Sequence, residues 1–430
     1  MHSTLYRLFS SWIILCISTV ALQAQATPTT IESIVFTGLE KLEESYLREL
    51  LLTKVGDSPD ESTIKKDEAQ LRRLSAVTIT STTIKPSQNN PQSVVLTFDI
   101  TERRTWLPIF GVGGIEDNFW FLLGLAEYNL AGRNQVLSGQ YLSNDGLPNF
   151  HIYYQNPRIK GSRWGWGAEL RRSASEEPLF FSEATVNYRY VNEGIGLTGT
   201  YNFTPNQQLS FGSQLFREDY LKLTEGNPND LPGPNDLQQL KILTGLYFKR
   251  NKITYDYFNL SGHQLDASIQ GVHTFGESMP FTSFILQVNK YWRPRPTVNL
   301  AARVRFGIAN NRPSPFVPFV LDSQFNLRGV GNRVDRGTAQ LVVNLEYRQT
   351  LFANGNWASQ GVLFSDIGSW RDPGGQLKDL ADTDQFRHFF GAGIRIIYNK
   401  FFQATFRLDY GVDIYNREER GFVIGMGQYF

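Results

Sequence analysis

The chain has 430 residues, 41% of them hydrophobic and 19% charged, with 42 Lys and Arg against 41 Asp and Glu. That length suits two domains or one large barrel, and the near-neutral balance leaves no electrostatic footprint for nucleic acid. Mean hydropathy is −0.30, and beyond residues 1–26 there is no apolar run of about 18 or more, which excludes a helical membrane protein but not a membrane barrel, where lipid-facing and lumen-facing residues alternate and average out.

Residues 1–26 hold one charge, Arg7, then an apolar run over 8–22 and the small-residue stretch Ala24-Gln25-Ala26. This pattern predicts a secretory signal peptide cut before Thr27. Its Cys16 is the sequence's one cysteine. Leu15 precedes it where lipid attachment needs a small residue, so the mature chain is expected to carry no thiol, disulfide or thiolate metal site.

Residues 27–102 read as a small α+β module. A strand over 31–37 ends at Gly38. Residues 42, 46, 47, 50 and 51 form the apolar stripe of one helix, and Ile64, Leu71 and Leu74 mark a second over 61–74. Strands over 77–84 and 93–102 follow, separated by the turn cluster 86–91.

Residues 103–430 alternate with period two and show no helical stretch. Over 402–414, Phe402, Ala404, Phe406, Leu408, Tyr410, Val412 and Ile414 point one way; Gln403, Thr405, Arg407, Asp409, Gly411 and Asp413 point the other. Over 298–308, Leu300, Ala302, Val304, Phe306 and Ile308 face outward and Arg303 and Arg305 inward. At roughly 20 residues per strand and connection, the segment makes about 16 antiparallel strands. Tight turns fall at 131–134, 204–206, 293–297, 354–356 and 399–400, and long loops at 218–237, 310–337 and 369–387. No strand boundary stands out within 173–203. Trp106, Trp164, Trp292 and Trp357 sit near one set of strand ends and Trp120 and Trp370 near the other, the pattern of two aromatic girdles.

One stretch breaks the alternation: Phe325-Asn326-Leu327-Arg328-Gly329-Val330-Gly331-Asn332-Arg333-Val334-Asp335-Arg336-Gly337. It is glycine-rich and too irregular for a strand. It feeds a strand whose Ala339, Leu341, Val343, Leu345 and Tyr347 share one face and whose Thr338, Gln340, Asn344, Glu346 and Arg348 share the other, a wall between lipid and a wet interior. The loop and strand resemble the sixth extracellular loop and twelfth strand of the BamA/TamA superfamily of outer-membrane assembly and secretion barrels. That family's loop reads Val-Arg-Gly-aromatic; here it reads Leu327-Arg328-Gly329-Val330. Asn129-Leu130-Ala131-Gly132-Arg133, Phe364-Ser365-Asp366-Ile367-Gly368 and Leu408-Asp409-Tyr410-Gly411 are similar to the family's motifs after the second strand and in the thirteenth and fifteenth strands. The β-α-α-β-β order of the first module resembles one POTRA domain, fewer than the best-known assembly factors carry. Phe422, Ile424, Met426 and Phe430 share a face, and Phe430 stands where the family's C-terminal barrel signal ends in an aromatic residue.

The resemblance implies an α+β POTRA domain in the periplasm over 27–102 and an all-β barrel in the bacterial outer membrane over 103–430. It implies that the loop folds into the barrel, where Arg328 meets Asp366, with Glu346 a second inward carboxylate nearby. It implies insertion, assembly or translocation of proteins through a lateral seam between the strands at 109–115 and 421–430. The partners would be outer-membrane lipid, unfolded β-rich clients or a secreted partner, and periplasmic accessory proteins. The alternatives are two-partner-type secretion of a dedicated client, and a passive pore or scaffold. Gly111, Gly113 and Gly114 in one seam strand and Gly421, Gly425 and Gly427 in the other serve either a weak seam or curvature and packing. No catalytic, metal or cofactor constellation is expected: His151, His263, His273 and His388 are scattered, and no Gly-x-Ser-x-Gly elbow or phosphate loop occurs.

Overall fold

A computed structural model describes residues 29–430 apart from 116–117, 145, 182, 225, 257, 277–279, 312–316, 324, 331–334 and 402–403. The expected signal peptide lies outside the described residues, as do Phe402, Gln403 and residues 331–334 of the loop.

The first module is built as its periodicity predicts. Strand β1 (Thr30–Thr37) is followed by helices α1 (Glu44–Leu50) and α2 (Glu61–Leu71), then β2 (Val77–Pro86) and β3 (Ser93–Glu102). The sheet order is β1-β3-β2, with β1 parallel to β3 and β2 antiparallel to it. Burial of Ile31, Leu47, Leu71, Leu96 and Phe98 between sheet and helices makes the core. Asp60 caps α2, its side chain accepting from the Ser62 and Thr63 backbone N–H groups. The buried Asp67 accepts from Leu52 N at 2.7 Å and Thr53 N at 2.9 Å, which ties the chain leaving α1 to α2.

Sixteen long antiparallel strands then close into a barrel. They are β4 (Trp106–Ile115), β5 (Asn118–Leu130), β6 (Gln135–Asn144), β7 (Leu147–Asn156), β8 (Trp164–Phe180), β9 (Thr185–Thr204), β10 (Gln207–Lys222), β11 (Asp236–Asn251), β13 (Asn259–Thr274), β14 (Phe281–Arg295), β15 (Val298–Ala309), β18 (Ala339–Asn354), β19 (Trp357–Arg371), β20 (Phe386–Tyr398), β21 (Thr405–Asp413) and β22 (Arg420–Met426). The short β12 (Thr254–Asp256) continues β11 along β13. The undecided stretch 173–203 resolves into β8 and β9, paired from Trp164↔Tyr201 to Phe180↔Thr185. Every expected tight turn falls at one end of the barrel and every expected long loop at the other.

The outer surface is apolar, with Leu123, Ile195, Leu197, Phe211 and Leu363 exposed, and the inner surface is polar, with Asn344, Glu346, Arg348, Asp366 and Asp409 buried. An exposed apolar band of this extent around a closed sheet fits contact with lipid. Among the described residues no helix is long and apolar enough to cross a membrane. One aromatic girdle is present: Trp106, Trp164, Trp292 and Trp357 are 43%, 56%, 45% and 52% exposed at the short-turn end. The other is not. Trp120 and Trp370 are only 4% and 7% exposed and point into the lumen. Trp120 fills the space over Gly111 and Gly113, where a Cβ would lie 3.2 Å and 2.7 Å from its ring. Trp370 joins the seat of the inner loop and donates its indole N–H to Asp372 at 3.0 Å.

The first module sits against the short-turn end. Arg133, in the β5–β6 turn, pairs with Glu43 at 2.8 Å and Glu49 at 3.3 Å, and its guanidinium lies 5.2 Å from the Tyr46 ring. Glu43 N donates to Gly132 O at 2.9 Å. The Asn-Leu-x-Gly-Arg motif is therefore a docking turn. The Arg133 hydrogen bond, then that from Ser45, holds the Glu43 carboxyl down at about 2. A depressed carboxyl pKa stabilises the docked state above the group's ordinary value and loses that contribution as pH falls through the docked value. Docking is thus expected to be constant from about pH 8 to 5 and to weaken only as pH drops from about 4.5 towards 2. Arg133→Ala is expected to free the module at neutral pH, read as several-fold faster proteolysis at residues 103–105; unaltered cleavage would show that the turn does not hold it.

Candidate functional site

The glycine-rich loop runs inside the barrel. Between β15 and β18 the chain makes a small hairpin, β16 (Phe319–Leu321) and β17 (Asp335–Gly337). Leu321 and Leu327, both fully buried, press into the space left by Gly368, where a Cβ would lie 2.7 Å and 2.6 Å from them. They pack with Val330, Val342, Trp370 and Phe389. This apolar seat fixes the loop against the β18–β19 wall and delivers Arg328 to a charged patch.

Arg328 has no exposed surface. Its Nε donates to Asp366 Oδ2 and its Nη2 to Oδ1, both at 2.8 Å, and its backbone N–H adds a bond to Oδ2 at 3.0 Å. This is the forked match of a guanidinium to a carboxylate. Nη1 donates to Glu346 Oε1. Glu346 also accepts from Arg348 Nε at 2.6 Å, and Asp366 from Asn344 Nδ2 at 2.8 Å. Arg395 pairs with Asp409 at 2.7 Å, and Asp409 stands 3.6 Å from Arg328 Nη1. Three arginines thus face three carboxylates, the condition under which buried charge is tolerated. The Arg328 guanidinium also lies between two rings, Phe364 at 3.7 Å and Tyr429 at 4.2 Å. Gly329 follows with φ +104, and a Cβ there would lie 2.7 Å from Phe389 and 2.8 Å from the Gly411 backbone. Glycine alone suits both the conformation and the space.

The barrel closes beside this clamp through a short seam. Among the described residues, β22 pairs with β4 only from Phe422↔Gly114 to Gly425↔Gly111. By contrast β4 pairs with β5 along its whole length, from Trp106↔Glu127 to Ile115↔Asn118. Residues 106–110 of β4 therefore have a ladder on one side only. In hydrocarbon an unpaired strand edge is costly, which makes the seam the weakest join in the cylinder.

Residues 129–430 match the Omp85 superfamily domain, and residues 29–103 match the POTRA, or surface antigen variable number repeat. The chain belongs to the Omp85 superfamily. It has the fold of a bacterial outer-membrane barrel of that group, the one to which the loop and turn motifs pointed. No curated protein matches the sequence. Among solved structures it is similar to BamA from Haemophilus ducreyi lacking POTRA domains 1–3, at 15% identity and TM-score 0.53, over 93% of this chain and 84% of that one. It is also similar to CdiB from Acinetobacter baumannii (15%, 0.57, 94% and 74%) and CdiB from Escherichia coli (11%, 0.61, 94% and 77%). At such identities the likeness is one of fold.

Within this Omp85 barrel, Arg328 meets Asp366 and Glu346, and Leu327 and Val330 pack in the apolar seat on either side of the Arg328-Gly329 pair. In Phe-x-Asp-x-Gly, Phe364 stacks on the guanidinium, Asp366 receives it, and Gly368 makes room for the loop. Ile424 and Met426 stay on the outer face of β22, half-buried. Phe430 does not share that face. Gly427, with φ +84, turns the chain inward, and Phe430 packs on the lumen wall by Leu260 and Tyr291. Gln428, the polar residue where the barrel signal expects an apolar one, is inside as well, bonded to Arg395 and Gln360. Sequence reasoning missed Tyr429 and Arg395; an aromatic residue next to a buried arginine patch carries no periodic signal.

Proposed function

We propose that this Omp85 barrel inserts proteins into, or moves them across, the bacterial outer membrane through the β4–β22 seam, with its POTRA domain in the periplasm. The observation that carries the reading is the contrast, among the described residues, between the four-pair β4–β22 seam and the longer ladders between the other neighbouring long strands of the barrel, such as β4–β5. A strand edge that is exposed yet surrounded by lipid can pair with an incoming client strand, each new main-chain hydrogen bond replacing an unpaired group. The POTRA sheet offers a second edge at β2, which among the described residues pairs with β3 alone, for capture of an unfolded segment. The Arg328 clamp holds the loop as a lid across the lumen, which speaks against a passive open pore. No chemical step is required, and the work is done by exchange of hydrogen bonds.

A disulfide across the seam tests this. Val112 and Ile424 are register partners, and Val112→Cys/Ile424→Cys is expected to form a reducible bridge. With the bridge closed, outer-membrane client levels should fall as they do on depletion, and reduction should restore them. Full activity with the bridge closed would remove the seam from the mechanism. The census after depletion separates two client classes: loss of many barrel proteins means assembly, and loss of one secreted protein means a dedicated two-partner pathway.

A further inference from the structure

Four basic side chains gather on the outer face of the barrel at its short-turn end. His263 and Lys290 are register partners on β13 and β14. Lys252 N donates to His263 O at 2.8 Å, which sets Lys252 beside them, and Arg250 on β11 faces Leu265, two residues along β13. Arg250, Lys252 and Lys290 all stand close enough to act electrostatically on His263. Their outward direction follows from alternation. Leu246 on β11, Ile269 on β13 and Val288 and Trp292 on β14 are exposed on the lipid side, and Arg250, His263 and Lys290 share their parity. Lys290 Nζ lies 5.6 Å from the Trp292 ring, so the ammonium reaches back along the wall to the aromatic girdle.

Like charges side by side repel, and a cation on a lipid-facing wall is costly away from the interface. Among the described residues none of the four has an acidic partner, and Asp256 at the same end is held by Arg293. Unneutralised cations at the depth of a tryptophan girdle stand where the phosphates of a bilayer leaflet lie. The same face carries a groove of about 390 Å³. It starts beside Lys290, whose register partner is Ala302, and follows the row Ala302, Leu345, Ser365, Phe390 across four strands. The small Ala302 and Ser365 make the trough, and Trp292, Tyr347 and Leu363 wall it on the girdle side. Ser365 is bonded to His388 at 2.8 Å, so its hydroxyl is already satisfied and the trough suits hydrocarbon.

We propose that this face binds an anionic phospholipid of the leaflet on the POTRA side, with its phosphate among Arg250, Lys252, His263 and Lys290 and one acyl chain in the Ala302–Ser365 trough. Charge complementarity and the trough point to the same occupant. The cations need an anion, the trough needs a hydrocarbon chain, and the two meet at Lys290 at interface depth. A lipid headgroup with its own chain supplies both in one molecule, and a guanidinium beside two amines and an imidazole is a strong donor set for a phosphodiester.

The leaflet assignment rests on the orientation proposed above, but the test needs no client and no seam, so the two readings fail separately. The full chain is placed in nanodiscs of equal phosphatidylcholine and phosphatidylglycerol, withdrawn in mild detergent, and the lipid it retains is identified by native mass spectrometry. Phosphatidylglycerol is expected to be retained over phosphatidylcholine by about tenfold or more. Arg250→Gln/Lys290→Gln should remove most of that preference, and the charge-conserving Arg250→Lys/Lys290→Arg should keep it. Where the double glutamine variant reduces the folded, heat-modifiable band, Lys290→Gln alone makes the same measurement. Ala302→Phe fills the trough and should lower retention of long-chain phosphatidylglycerol several-fold while leaving that of the dihexanoyl form unchanged. Equal retention of the two lipids by the parent, an unchanged preference in the glutamine variant, or displacement of the lipid by inorganic phosphate alone overturns the proposal. So does preferential retention of lipopolysaccharide, whose phosphates belong at the long-loop end.

Discussion

Arg328→Ala is expected to release the lid while leaving the cylinder closed. The guanidinium makes two bonds to Asp366 and one to Glu346, with a ring on each face. Removing one partner of a buried charge pair typically costs about 3–5 kcal/mol, because the charge left behind is uncompensated. Two features moderate that figure here. Asp366 keeps Asn344, and Glu346 keeps Arg348. Two others add to it, the lost stacking on Phe364 and Tyr429, each worth about 2 kcal/mol or more when desolvated. The sum falls on the loop, whose other anchor is its apolar seat, and not on the ladders between strands. The variant should still shift on heating in a gel, with a lower unfolding temperature. Its loop should become sensitive to protease added from the long-loop side, and its single-channel conductance should rise from rare openings to a sustained level. Arg328→Lys should behave nearly as badly, since an ammonium neither forks onto Asp366 nor stacks flat between the rings. A variant with parental conductance and protease resistance would show that the clamp does not hold the lid.

The amount of this that could be read in advance follows from which interactions leave a periodic trace. Alternation in β18 put Asn344, Glu346 and Arg348 inside, and alternation in β21 put Arg407 and Asp409 inside, because a strand in a wall has only two faces. Strand number and turn positions followed from length and turn residues. What alternation does not give is where a strand stops obeying it. Phe430 and Gln428 fit an outward strand only if Gly427 is extended, and a single positive φ reverses the outcome. Trp120 and Trp370 looked like girdle residues because their positions near strand ends were legible, while their inward face depended on Gly111, Gly113 and the loop seat across the barrel. The glycines of β4 show the same limit. Weak pairing and packing both predict glycine, and at 111 and 113 packing against Trp120 is the operative reason. The docking role of Arg133 could not be found at all, since its partner Glu43 lies 90 residues away in another domain.

Gly411→Val is expected to reproduce the Arg328→Ala phenotype with every charge of the clamp in place. Gly411 faces the lumen in β21, and a Cβ there would overlap the Arg328 carbonyl oxygen and lie 2.9 Å from its carbon and 3.2 Å from Gly329 Cα. These are backbone atoms of a loop already seated on Leu321 and Leu327, so they cannot turn aside as a side chain would. Glycine in a strand where another backbone approaches closely is the expected use of the residue. Overpacking typically costs about 1–3 kcal/mol when neighbours can shift. Here the wall is stiffened by its ladder to β20, where Gly411 faces Gly391, so the loop is the part that yields. Conductance and protease sensitivity should rise towards the Arg328→Ala level. The double variant discriminates this from general damage. If both substitutions act by expelling the same loop, the second has little left to expel, and their effects on unfolding temperature should fall well short of additive. Additive losses would mean that valine at 411 harms the β20–β21 wall itself, and that the close approach of lid and wall is incidental to closure.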